Sequence, residues 1–155
     1  MSTQIDAVIL ALVAKWQALA VPAGTLAGVV VADGPQVTDD PSPEWLFVGY
    51  DGAETSEFAE GSVIEQDLLT FAKGKQESGE IKCAAVAVRG DTDISAARLR
   101  ALAIVSAAEN ALRDDIYLGG AVMQAFVSTV TYIPTQTTAG AKVRVAFTVS
   151  YQASF

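Results

Sequence analysis

At 155 residues and 51% hydrophobic, the chain reads as one domain, residues 1–155, able to bury about two-thirds of its unfolded surface. With no histidine and a single cysteine it lacks the commonest general base, any internal disulfide and the ligand sets of zinc and iron–sulfur sites. The net charge is −8 and no Lys or Arg occurs between Lys15 and Lys73, a balance that opposes binding to phosphate backbones.

Ile5, Val8, Ile9, Leu12, Val13, Trp16 and Leu19 recur at helical spacing, and Thr3 with Asp6 approximates a capping box. A first helix is expected, ending near Ala20 before Pro22, with Trp16 on its buried stripe. Its start lacks the basic residues and cleavage site of a signal peptide, and Lys15 and Gln17 interrupt the apolar run, so a soluble chain with no membrane span is expected. Residues 28–32 and 45–50 read as two strands. Between them, residues 33–44 hold Pro35, Pro41 and Pro43 among acids, too stiff and polar for a core, and should form a surface loop.

Residues 63–72 alternate as a long, partly exposed strand. A turn over 73–79 should lead into 81–89, a strand of small apolar residues covered on both faces, the two strands pairing as a hairpin. Cys83 falls in that apolar run, where a thiol behaves as a small hydrophobe. Asp91 or Asp93 caps a second helix that runs to about Asp115, with Arg113 offsetting the unfavourable carboxylates at its end. Residues 101–108 are apolar around nearly the whole helix. A neighbouring subunit would explain that, and so would the tolerance of exposed Ala in helices. Two alternating strands, 122–133 and 143–152, close the chain as a long hairpin through a connection at 134–141. The fold class is therefore α+β: a mainly antiparallel sheet of about six strands with two helices packed on it, in the order α-β-β-β-β-α-β-β.

Reactive constellations are not found. No phosphate-cradling glycine motif precedes a helix, Asp39-Asp40 lacks the spacing of a calcium loop, and Asp91-Thr92-Asp93 is better explained as a cap than as a metal–phosphate site. No catalytic residue, metal or cofactor is assigned. Trp45 stands beside the proline-rich loop and Phe155 ends the chain, each readable as core or as an interface anchor.

This layout resembles the tail terminator, or tail completion, proteins of long-tailed bacteriophages. The likeness spans nearly the whole chain. It rests on the amphipathic first helix, the strand at Val29-Val30-Val31 before a Pro- and Asp-rich loop, and Trp45-Leu46-Phe47-Val48-Gly49-Tyr50. Glu65-Gln66-Asp67 in the third strand, the Ala-rich helix and the closing run from Gly140 to Tyr151 extend it. The resemblance implies a virion protein made in the host cytoplasm. It would form a ring, usually of six copies, that caps the finished tail tube and joins the head-completion or connector proteins, with DNA passing through unbound. Under that reading the candidate interface residues are Pro35, Asp39, Asp40, Pro41, Trp45, Thr135, Gln136, Thr137, Thr138 and Phe155. The alternatives are another virion ring protein, such as a head–tail connector or tube subunit, or a small-molecule binding module built on carboxylates and backbone.

Overall fold

The structure, a computed structural model, describes residues 2–36, 42–53, 61–68, 74–90, 93–137 and 140–155. Helix α1 (Ile5–Gln17) is followed by β1 (Val30–Asp33), β2 (Glu44–Val48), β3 (Val63–Leu68) and β4 (Lys75–Arg89). Helix α2 (Ile94–Asp114), a 3-10 turn (Leu118–Gly120), β5 (Gln124–Thr137) and β6 (Gly140–Ser154) complete the chain. This is the expected element order, on one mixed sheet of six strands. Its order is β1-β2-β4-β6-β5, with β3 pairing β4. All pairs are antiparallel except β1 with β2, which run parallel.

β4 and β6 form the centre. Alternation along β6 puts Val143, Val145, Phe147, Val149 and Tyr151 under the helices, and β4 contributes Ile81, Cys83, Ala85 and Ala87 beside them. Both helices lie on this one face. α1 supplies Val8, Leu12 and Trp16, and α2 supplies Ala97, Ala101, Ile104, Ala108 and Leu112, all in one continuous apolar cluster. Trp16 sits at the junction of the layers. Its ring meets that of Phe147 edge-on at 6.0 Å, and its Nε1–H donates to the Ala108 carbonyl at 3.2 Å.

Several local readings need correction. The capping box is absent: Gln4 occupies the N-cap of α1 without a side-chain bond, while Thr3 accepts from the Ile5 N–H and donates to Glu77 across the fold. α1 ends at Gln17, earlier than expected, because a series of turns carries residues 18–28 to β1. The first two strands are shifted to 30–33 and 44–48. β3 covers the first six positions of the strand expected at 63–72, and the last four lie outside the described residues. Lys75 to Gly79, read as part of a turn, belong to β4, which continues without a break to Arg89. The closing connection is far shorter than eight residues, since β5 runs on through Pro134 to Thr137 and β6 starts at Gly140. Pro134 is compatible with this because β5 is an edge, and an edge strand tolerates a residue without an N–H.

Asp93 is the cap of α2, its Oδ1 accepting from Ala96 N at 3.0 Å. Arg113, expected to offset Asp115, instead pairs with Glu109 at 3.3 Å. Lys15 of α1 meets Asp115 at 3.1 Å and, with backbone donors from Gly119 and Tyr117, holds its carboxyl below the usual range. α2 buries one face only, leaving Leu99 and Leu102 exposed, so the helix is not enclosed within this chain.

Candidate interaction surface

The face of the sheet away from the helices is partly open. Over its upper half, the turn after β2 folds back across β4 and buries Ala84 and Val86. Gly52 makes that approach possible. Its φ is +76°, and a Cβ there would lie 2.9 Å from Ala84 Cβ and 3.0 Å from Arg144 Cδ. Arg144 of β6 secures the turn from below by donating to the Asp51 carbonyl, with the Asp51 carboxylate 4.0 Å away. Asp51 Oδ1 in turn accepts from Ala53 N at 3.1 Å.

Beside this turn lies a hollow of about 340 Å³ lined by Pro35, Trp45, Phe47, Tyr50, Val88 and Lys142, among others. Trp45 and Phe47 are two apart on β2 and so share the open face. Their rings stack at 5.4 Å and 7°, and Phe47 meets Tyr50 edge-on at 5.3 Å. The Trp45 Nε1–H donates to the Ser42 carbonyl at 2.8 Å, which fixes the indole at the rim. Behind it, Glu44 receives Arg89 at 3.2 Å and Arg100 at 3.0 Å, joining β2, β4 and α2.

Strand register decides which expected interface residues come together. Trp45 is opposite Val86, Val86 opposite Arg144, and Arg144 opposite Ile133. Thr135 is opposite Lys142, which lines the hollow. Pro35, Trp45 and Thr135 to Thr137 therefore gather at one end of the sheet. Phe155 does not join them: its backbone pairs with Lys75 at the other end, about 40 Å along β6 at the usual strand rise. Asp39, Asp40, Pro41 and Thr138 lie outside the described residues, as do the side chains of Gln136 and Thr137.

One feature of the surface escaped the sequence reading. β5 is a 14-residue edge with no charged residue, and it keeps Phe126, Val130 and Tyr132 exposed at 49%, 49% and 40%. The signal was present in the uncharged run itself, whose position at an edge only the topology supplies.

Chemically, the described residues of this surface offer aromatic contact rather than an activated nucleophile. Cys83 is fully buried, with its thiol pushed up to about 12 by burial. Glu77 is buried within four hydrogen bonds. Among the described residues no three Cys, Asp or Glu side chains group as a metal site, and no helix is long and apolar enough to cross a membrane. No family model and no curated protein matches the chain.

Proposed function

We propose that the chain is a structural virion subunit that caps the tail tube of a long-tailed phage as a ring and offers the joining surface to head-completion proteins. The gathering of Pro35, Trp45 and the β5 end at one end of the sheet carries this reading, because it gives the subunit a specialised docking end rather than a reactive cleft. Stacked aromatic rings at the rim of a hollow are suited to anchoring a partner protein. The predominance of acid supports it too: a ring of such subunits lets DNA pass without gripping its phosphates.

The test is to mix purified protein with purified tail tubes and image them by electron microscopy. The reading expects a ring on one end of each tube, lost or much reduced for Trp45→Ala. A protein that joins no tubes, whatever its own oligomeric state, contradicts it.

A further inference from the structure

The turn after β2 covers only the upper half of the open sheet face. Over the lower half, at the end away from Trp45, lies a trough of about 250 Å³ that crosses four strands. Register explains its shape. One row across the sheet runs Val63, Glu80, Ser150 and Phe126, and the next sets Glu65 against Ser78. The central strands β4 and β6 thus put short hydroxyl side chains on the floor, while the outer strands β3 and β5 raise Val63 and Phe126 as walls, both about half exposed.

Charge in the trough has one sign. Glu65 and Glu80 are diagonal neighbours on the same face, about 7–8 Å apart, and Asp67 follows Glu65 by two positions on that face. Among the described residues no ion pair engages either glutamate. The nearest cation of this face by register, Lys82, lies two positions beyond Glu80 and reaches across to Thr148 Oγ1 of β6 at 3.4 Å. Residues 124–128 of β5 and 148–154 of β6 bring no charge to this half.

We infer that this trough docks a basic extended segment of another protein, with a lysine or arginine between Glu65 and Glu80 and an adjacent apolar side chain between the walls of Val63 and Phe126. Charge complementarity selects the cation: a neutral or acidic occupant would cover two like charges and answer neither. The open shape selects a segment over a small amine, because small-molecule sites enclose most of their ligand and this trough leaves both walls half exposed. Spacing agrees. Alternate side chains of an extended segment stand about 6.5–7 Å apart on one side, which is the separation of the Val63 and Glu65 rows. The contact lies at the opposite end of the sheet from the aromatic hollow and does not depend on the tail reading.

Fluorescence anisotropy tests it with a short labelled peptide that carries alternating leucine and lysine along one side and serine along the other. The full-length protein should bind this peptide and not its counterpart with glutamate for lysine. Glu65→Gln with Glu80→Gln should weaken binding about fivefold, the combined effect of two exposed charges, and Phe126→Ser should weaken it by a similar factor. All three positions are exposed, so the circular dichroism spectrum should not change. Asp6→Asn with Asp114→Asn removes the same charge from the helix layer and should bind as wild type does. Equal losses in the two double variants would mean that the peptide answers only the overall negative charge, which overturns the inference. Failure to distinguish the lysine from the glutamate peptide overturns it as well. Displacement of the peptide by pentylamine at comparable concentration would make the trough a small-amine site and overturn the segment as its occupant.

Discussion

Tyr151 donates its hydroxyl hydrogen to Oε2 of Glu77 at 2.8 Å, across two residues of register between β6 and β4. The contact depends on Gly79, which is directly opposite Tyr151: a Cβ at 79 would come within 2.2 Å of the tyrosine ring. Thr3 Oγ1, the Gln4 N–H and Gln66 Nε2 donate to the same carboxylate, so one buried glutamate ties the entry to α1 to β3, β4 and β6. A carboxylate beside the first N–H groups of α1 also meets the positive end of the helix dipole.

Removing one donor from a charged acceptor should cost about 1.5–3 kcal/mol. Tyr151→Phe is therefore expected to lower the urea midpoint by that equivalent. Gly79→Ala should cost a similar amount by overpacking, about 1–3 kcal/mol. Combining the two should cost less than their sum, because the methyl group acts by displacing the ring whose hydroxyl the other change removes. Additive losses would mean that Gly79 serves the strand's backbone rather than the tyrosine.

Acid should undo the same cluster. Burial pushes the Glu77 pKa up, but the hydrogen bonds from Thr3, Gln66, Tyr151 and Gln4 together outweigh it and hold the group below its ordinary value of 4.5. A depressed carboxylate pKa stabilises the fold above the unfolded-state value, and that contribution fades as pH falls through the folded one. Wild type should exceed Glu77→Gln in stability at pH 7, with the gap narrowing below about pH 4.5. Taking the difference between the two proteins removes the parallel contribution of Asp115, which Lys15 also depresses. A gap that does not change with pH would show that the glutamine is penalised by shape alone.

Periodicity made both helices and the β5–β6 hairpin legible, because their apolar spacing directly reflects which face is covered. The Glu77 cluster was hidden for a physical reason. Lys75, Glu77 and Gly79 resemble turn chemistry in isolation, and only Tyr151, 72 to 76 positions away by sequence numbering, turns the glycine into a packing requirement and the glutamate into a core acceptor. The parallel pairing of β1 with β2 was equally invisible, since local residues set strand propensity but not direction. At the candidate surface, Pro35 and Trp45 were legible as loop and aromatic signals. Their sharing one end of the sheet with the far end of β5 depends on a register running through four strands.

Trp16 makes a prediction that separates packing from polarity. Trp16→Phe retains an aromatic ring against Phe147 but deletes the donor to the Ala108 carbonyl and some buried volume. A loss of about 1–3 kcal/mol is expected from a buried acceptor left without its partner, plus a cavity contribution. Chemical denaturation of the two proteins measures it. A cost below about 0.5 kcal/mol would indicate that α2 shifts or water enters to satisfy the carbonyl.

Cys83 offers a direct reading of how the centre of the sheet opens. It is fully buried between β2 and β6, and burial raises its thiol pKa to about 12, so neither access nor thiolate is provided by the native fold. Alkylation at pH 8 should therefore require opening of the central strands and should slow in proportion to global stability as urea is withdrawn. The Tyr151→Phe and Gly79→Ala substitutions, both beyond contact with the thiol along β4 and β6, should accelerate labelling through their stability cost, by about tenfold for each 1.4 kcal/mol. Fast labelling that ignores both substitutions would mean that β2 separates from β4 locally. The aromatic hollow would then rest on a strand able to detach without unfolding the rest, and docking at that end would be expected to slow Cys83 labelling by holding β2 in place.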